Sequence, residues 1–345
     1  MNSTNSTNIQ SLDYWFNYYG VTFTIDIMYM YFLTPISIVS FLLNSISLYT
    51  LTSNRQFNKS ILYKYLKLYI LNSIIISLLL ISAFTPNTYR IFEFTNTHLA
   101  LAYGSYILTP VISFFYFYST LLEICISLER SLKFYPAKYR FKKIRNFNSI
   151  CLVMLLFSAV LNIPFGFLYY PAVAEVPVGK RILNLYYWGL TDISLTLYGK
   201  VITYLVYAVR DILFLVIKII INVYSVFVVR EYLSKITVES FTVSGSNNSG
   251  ENAEINLSVP KKDYLTQTDR NLTFMSITMC LLSVLENMFY AFAYIYFSFF
   301  QNEASLIVFF FSYFTLALKH VSNIFVLYFF NNSFRAEFRK KFFRG

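Results

Sequence analysis

The sequence is poor in charge and in the residues that build catalytic and metal centres. Only 13% of its 345 residues are charged, and it holds 9 Gly, 8 Pro and 2 His. It contains no Cys-x-x-Cys pair, no His-Glu-x-x-His helix and no glycine-rich phosphate loop. We therefore expect no enzymatic activity, no cofactor and no metal site. The only three cysteines lie inside apolar stretches, where free thiols are expected rather than disulfides. They are Cys125, Cys151 and Cys280.

Hydrophobic residues dominate what remains. They make up 57% of the chain, too many to hide in one soluble core of this length. Because a helix needs roughly 20 residues to cross ~30 Å of hydrocarbon, long apolar runs predict membrane helices. We predict an all-α fold, a seven-transmembrane helix bundle over residues 27–330, with an N-terminal segment 1–26 and a tail 331–345. The predicted helices span about 27–50, 66–86, 103–128, 148–170, 201–229, 271–299 and 304–330.

Lysine and arginine concentrate in alternate connections between these runs. Because short cytoplasmic loops retain positive charge, these connections are predicted to face the cytoplasm, with the N-terminus outside and the C-terminus inside. Asn2 and Asn5 then begin glycosylation sequons on the outer side. The basic residues on the inner side are Arg55, Lys59, Lys64, Lys67, Arg130, Lys133, Lys138, Arg140, Lys142, Lys143, Arg145, Arg230, Lys235, Lys261, Lys262, Arg270, Arg335, Arg339, Lys340, Lys341 and Arg344.

The formal net charge of +11 also bears on partners. The basic residues lie beside the ends of membrane helices rather than on a soluble domain, so anionic lipid of the inner leaflet is the expected partner. We expect no nucleic acid to bind. The predicted location is the plasma membrane, as a multi-pass protein.

Two connections have a distinct character. Residues 181–199 alternate apolar and polar side chains around Gly189, which predicts a β-hairpin lid on the outer side. Residues 237–260 are rich in Ser and Asn and lack helical periodicity, which predicts a mobile inner loop.

Several short motifs, taken in their order, resemble those of one receptor family. Glu129-Arg130-Ser131 closes the third run, and the run Asn323-Ile324-Phe325-Val326-Leu327 is followed by a linker and Phe334-Arg335. Asn44 and Asn72 fit that family's helix-one and helix-two asparagines. The chain resembles a rhodopsin-like (class A) G protein-coupled receptor. The resemblance implies a heterotrimeric G protein partner, a switch that includes Asn323, and a short amphipathic membrane-surface helix after helix seven.

The chain departs from that family's pattern at several positions. Ser77 and Ser105 stand where the family usually has a sodium-binding aspartate and a disulfide cysteine. Ile112 and Ala317 replace the amine-binding aspartate and the retinal-bearing lysine. The resemblance therefore implies a divergent member, similar to invertebrate chemosensory or neuropeptide-like receptors, that senses neither amines nor light. Further departures are Ile324 and Leu327 in helix seven and Cys280-Leu281-Leu282-Ser283 in helix six.

The resemblance also implies a switch at the inner end of helix three. Arg130 is expected to pair with Glu129 and with a second acid on helix six, either Asp263 or Asp269. In the open state it would turn toward Tyr224 on helix five and toward the G protein. The alternative is that Glu129 and Arg130 form only an interfacial charge pair.

Six ionisable residues interrupt the apolar runs. Each costs about 2.5–3.5 kcal/mol at a helix centre if it faces lipid, so we predict that all six face the bundle or pair. They are Glu123, Arg210, Asp211, Lys218, Glu286 and Lys319.

Helical rise sorts these charges by depth. Arg210, Asp211 and Glu286 fall near the outer mouth, where Arg210 and Glu286 are predicted to form or flank a ligand pocket. Deeper in the bundle, Glu123 is predicted to pair with Lys319 or Lys218 as a buried charge core. Family position adds Tyr116 and Tyr313 to the pocket lining. The alternative is that all six are structural pairs that fix helix register.

The function expected from the sequence is transduction of an extracellular ligand, a peptide or a chemosensory small molecule, into activation of a heterotrimeric G protein. Two other classes remain as alternatives. A seven-helix ligand-gated channel of the insect olfactory type would have its N-terminus inside, against the charge distribution. A transporter would show internal repeats and broken helices in corresponding halves.

Overall fold

The computed structural model describes residues 27–88, 103–133, 147–167, 169–178, 181–245, 259–300 and 303–343. The eight main helices within these residues are labelled α1 to α8. They are α1 (π-helix Tyr29–Leu33, then Thr34–Ser53), α2 (Ile61–Thr88), α3 (π-helix Tyr103–Leu108, then Thr109–Lys133), α4 (Phe147–Asn162), α5 (Leu197–Tyr207, π-helix Ala208–Leu213, then Phe214–Gly245), α6 (Val259–Phe300), α7 (Glu303–Phe330) and α8 (Asn332–Phe342). Short helices Arg55–Lys59 and Asp192–Leu195 and a 3-10 helix Ile163–Phe167 complete them.

Six of the described helices are long and apolar enough to cross a membrane. Their apolar spans are Tyr31–Ser53, Ile61–Ser82, Tyr106–Leu132, Leu197–Val228, Arg270–Ala293 and Phe310–Phe330. The fourth predicted run forms α4, an apolar helix of 16 residues. It stops at Asn162 because Pro164 lacks the backbone N–H that an α-helix interior requires, and the chain continues as the 3-10 helix.

The bundle buries small polar residues and exposes large apolar ones. On α1, Ser37, Ser40, Asn44 and Ser47 all have an exposed fraction of 0% and share one face at helical spacing. Large aliphatic side chains on α4, such as Val160, are more than half exposed. Small residues let membrane helices approach closely and exchange hydrogen bonds, while apolar side chains suit lipid. This arrangement is typical of a helix bundle embedded in a membrane.

A two-stranded hairpin interrupts the helical fold between α4 and α5. β1 (Tyr169–Val178) pairs antiparallel with β2 (Arg181–Leu190), from Val178 opposite Arg181 to Tyr169 opposite Leu190. Apart from this hairpin, the described elements are helical, as the all-α prediction requires. The hairpin lid predicted at 181–199 is right only in its first ten residues, because 192–195 and 197–207 are helical.

The first strand escaped prediction because it contains two prolines. Pro171 and Pro177 are six residues apart, so their nitrogens point to the same strand edge. A two-stranded sheet leaves one edge of each strand open, and proline is tolerated there.

The inner connection between α5 and α6 is shorter than predicted. Residues 237–245 continue α5 and residues 259–260 begin α6, so the loop prediction is wrong at both ends of 237–260. The stretch 246–258 lies outside the described residues. These polar residues are helical because they extend the long apolar helices α5 and α6. The polarity of the segment by itself did not indicate that extension.

The tail that follows α7 forms the helix α8. Asn331 caps its first turn, because the side-chain oxygen accepts the backbone N–H of Phe334 at 3.0 Å. The same oxygen accepts the Tyr63 hydroxyl at 3.1 Å, and the Arg335 Nε donates to the Tyr328 carbonyl at 2.8 Å. Asn331 therefore joins α2 and α8 at the end of α7.

Replacing this cap should loosen α8. We expect Asn331→Ala to lower the free energy of unfolding by about 1 kcal/mol, because the Phe334 N–H loses its acceptor. The thermal unfolding of the purified protein in detergent measures the change. Asn332→Ala, one residue further along, is the matched control, and equal unfolding of the two variants would contradict the capping role.

Candidate functional site

Four charged side chains meet in the centre of the bundle. Lys319 on α7 lies 2.8 Å from Glu123 Oε1 on α3 and 2.8 Å from Glu286 Oε2 on α6. Lys218 on α5 pairs with the other oxygen of Glu123. The exposed fractions are 4% or less for all four. The order Lys218–Glu123–Lys319–Glu286 alternates in sign, and we call these four residues the ionic chain.

The ionic chain confirms one prediction and extends it. Glu123 was predicted to pair with Lys319 or Lys218, and it pairs with both. The hydroxyl of Ser283 on α6 accepts hydrogen bonds from both lysines, from Lys319 at 3.0 Å. Four helices, α3, α5, α6 and α7, are thus joined through charges that would each be costly if left unpaired in hydrocarbon.

Arg210 and Asp211 form a separate pair in the π-helical turn of α5. The Arg210 Nε and Nη2 each donate to one Asp211 carboxylate oxygen at 2.8 Å, a bidentate geometry. The Arg210 Nη1 donates to Asn162 of α4 at 3.2 Å. Arg210 is 2% exposed and Asp211 6%. We call these two residues the outer pair.

Arg210 and Glu286, which were predicted to form or flank the same pocket, have different ionic partners. In the structure, Arg210 pairs with Asp211, and Glu286 pairs with Lys319. Helical rise put Arg210 and Glu286 at similar depth, but depth says nothing of rotation about each helix axis. The adjacent Asp211 needs no approach of a second helix to reach Arg210.

Aromatic side chains connect the outer pair to the ionic chain. The Arg210 guanidinium lies 5.1 Å from the Tyr207 ring centroid and 5.8 Å from that of Tyr290. The Tyr290 ring in turn lies 5.6 Å from that of Tyr116. The Tyr116 hydroxyl donates to Asn287, the neighbour of Glu286 on α6.

The two predicted pocket tyrosines lie in one apolar cluster. Tyr116 is buried and Tyr313 is partly buried against it. Of the predicted pocket residues, Arg210, Asp211 and Tyr116 are thus linked through Tyr290, while Glu286 belongs to the ionic chain. The other buried members of the cluster are Leu33, Ile76, Leu80, Phe310, Leu316 and Ala317.

A second polar group joins α1, α2 and α7. Asn323 donates to Asn44 at 3.3 Å and to Ser73 at 3.2 Å. Asn44 donates to the carbonyl of His320 at 2.9 Å, and the His320 Nδ1 lies 3.0 Å from the Ser73 hydroxyl. The Tyr69 hydroxyl donates to Asn323 at 3.3 Å. We call Asn44, Ser73, His320 and Asn323 the asparagine network.

A third polar group joins α3, α5 and α6. Ser127 donates to Asn222 at 3.2 Å and lies 3.2 Å from the Ser276 hydroxyl. Ser131 and Ser225 share a hydrogen bond between α3 and α5. Asn222 also donates to the carbonyl of Lys218, a member of the ionic chain, at 2.8 Å. We call Ser127, Ser131, Asn222, Ser225 and Ser276 the serine network.

The predicted Arg130 switch lies beside the serine network. Arg130 is 2% exposed near the C-terminal end of α3, while Glu129 is partly buried. Tyr224 on α5 is 48% exposed and precedes Ser225. Asp263 and Asp269 belong to α6, but their side chains lie outside the described part of the chain, as do Asn2 and Asn5.

Sequence reasoning missed several of these residues. His320 could have been singled out from the sequence, because an ionisable residue in an apolar run indicates a functional or paired position. Ser283 precedes Glu286 by three residues and so shares its helix face. Asn222, Asn287 and Tyr290 carried no signal that separated them from ordinary helix residues.

Comparison of the chain with protein-family models and with curated protein sequences found no match.

Proposed function

We propose that this protein is a plasma-membrane receptor that converts binding of an extracellular ligand into activation of a heterotrimeric G protein. The observation that supports it best concerns four of the residues that carry the family resemblance. Asn44, Asn72, Arg130 and Asn323 are all 3% exposed or less. Asn44 and Asn323 bond to each other, and Asn72 donates to the Phe115 carbonyl of α3 at 2.8 Å.

In the proposed topology, α4 is the seventh membrane helix alongside the six long apolar ones. The N-terminus lies outside and the C-terminus inside. α8 lies on the inner membrane surface, where its last turn presents Arg339, Lys340 and Lys341 to anionic lipid.

The proposed mechanism uses the contacts between helices as a two-state element. Asn287, the sequence neighbour of Glu286 in the ionic chain, accepts a hydrogen bond from Tyr116. The carbonyl of Lys218 in the ionic chain accepts a hydrogen bond from Asn222 of the serine network. A ligand that binds one arrangement of α5, α6 and α7 better than another shifts the population toward it. The shift frees Arg130 to turn toward Tyr224 and the inserted G protein helix.

The test is expression of the full chain in cells that carry a promiscuous G protein. The cells are challenged in parallel with short amidated peptides and with a panel of volatile compounds. We expect at least one compound to raise G protein activation above that of cells without the receptor. Ligand-evoked current that persists when G proteins are inactivated would instead establish the channel alternative.

Glycosylation provides an independent check of the orientation. We expect glycosidase treatment to lower the apparent mass of the wild-type protein but not that of a variant with Asn2→Gln and Asn5→Gln. A wild-type protein that carries no glycan in glycosylating cells would contradict the outward N-terminus.

A further inference from the structure

The charges of Arg210 and Asp211 neutralise each other within the protein. Both Asp211 carboxylate oxygens accept from Arg210, and a third guanidinium nitrogen donates to Asn162. Both side chains are nearly inaccessible to solvent. A ligand carboxylate aimed at Arg210 would have to displace Asp211, and a ligand ammonium aimed at Asp211 would have to displace Arg210.

The charges of the ionic chain also balance. It contains two lysines and two glutamates, and Lys319 contacts both acids. With the outer pair, the six intramembrane charges are three acids and three bases. A charged ligand group in this layer would therefore add a seventh charge to a balanced low-dielectric environment, or would break a buried pair.

Uncharged polar and aromatic side chains lie between the two charged clusters. Tyr116 and Asn287 are bonded to each other, and the Tyr290 ring lies between Tyr116 and Arg210. The Glu286 Oε1 is buried and accepts no hydrogen bond from the described residues. A neutral O–H or N–H group would satisfy that oxygen without changing the net charge.

We propose that the ligand group entering the bundle between the outer pair and the ionic chain carries no charge. It is an aromatic or apolar body with a hydroxyl or amide hydrogen-bond donor. The proposal rests on the proposed receptor function and names its ligand class. Free amines and free carboxylates are rejected because the outer pair already neutralises both kinds of complementary charge.

The test uses the purified full chain in lipid nanodiscs, without a G protein. Three probes share one phenyl ring on a short linker: 2-phenylethanol is neutral, 2-phenylethylamine is a cation, and phenylacetate is an anion. Ligand-observed NMR titration measures the affinity of each. We expect the wild-type protein to bind the alcohol about tenfold or more tightly than either charged probe.

Two variants that each remove one charge should expose the opposite charge of the outer pair. Asp211→Asn leaves Arg210 without its carboxylate, so the preference should move to phenylacetate. Arg210→Gln leaves Asp211 without its guanidinium, so the preference should move to phenylethylamine. Lys200→Gln removes an exposed charge from the same helix and should leave the wild-type preference unchanged.

Several results would overturn the proposal: a charged probe that binds the wild-type protein as tightly as the alcohol, failure of all three probes to bind, or folded variants that keep the wild-type preference. Size-exclusion profiles report folding, and if a variant does not fold, the wild-type ranking alone decides. The binding experiment contains no G protein. Absence of signalling in cells would therefore count against the proposed receptor function, whereas the proposed ligand class is judged by the binding experiment alone.

Discussion

Lys319→Met should strongly destabilise the protein. Lys319 lies 2.8 Å from both Glu123 and Glu286 and is 4% exposed. Its removal leaves Glu286 without its described cation and Glu123 with Lys218 alone. Breaking a buried ion pair by removing one partner costs about 3–5 kcal/mol, a large fraction of the stability of a typical domain. Thermal unfolding in detergent and the amount of protein at the cell surface measure the loss.

Two variants separate this effect from a general cost of losing a lysine. Lys200→Met alters an exposed residue of α5, and its stability should stay within about 0.5 kcal/mol of the wild type. Lys319→Met combined with Glu286→Gln keeps the Lys218–Glu123 pair and restores charge balance, so it should recover much of the stability. If Lys319→Met unfolds at the same temperature as Lys200→Met, the ionic chain does not stabilise the bundle.

If the proposed function is right, Arg130→Ala should abolish G protein activation while the protein still reaches the cell surface. In the proposed mechanism this guanidinium is the group that turns toward the G protein, and alanine offers neither its charge nor its hydrogen bonds. The adjacent Ser131 would still tie α3 to α5 through Ser225, which should keep the fold intact. Nucleotide exchange on the G protein is measured together with surface labelling.

A matched arginine elsewhere on the same side provides the control. Arg270 on α6 is exposed, and Arg270→Ala should retain most of the activation. Signalling by Arg130→Ala at the level of Arg270→Ala, with equal surface amounts, would rule out the proposed role of Arg130.

The sequence predicted which charged residues are buried better than it predicted which of them pair with each other. Glu123, Arg210, Lys218, Glu286 and Lys319 all face the interior as their cost in lipid requires. The pairing of Glu123 with a lysine was also predictable, because Lys218 and Lys319 are the basic residues of the six whose depth is nearest to that of Glu123. The pairing of Arg210 with the neighbouring Asp211 was not predicted, since both were placed at the outer mouth by depth alone.

Local patterns also succeeded where a segment determines its own structure. Alternation predicted a hairpin over 181–199, of which 181–190 forms a strand. Its partner, β1, was not predicted, because Pro171 and Pro177 are acceptable in a strand only where its edge is open. The polar stretch at 237–245 looked like loop, yet it continues a long helix.

The sequence by itself determined that the chain forms long apolar helices, where most of them lie, and that six charges must be buried among them. These properties follow from composition and from the transfer free energy of each residue, which need no knowledge of neighbours. Only the tertiary structure decided that Lys319 bridges two acids, that Ser283 joins both lysines, and that Arg210 turns to Asp211. Those choices depend on the rotation of each helix about its axis and on the π-helical turn in α5, and helical rise along a single segment does not specify either.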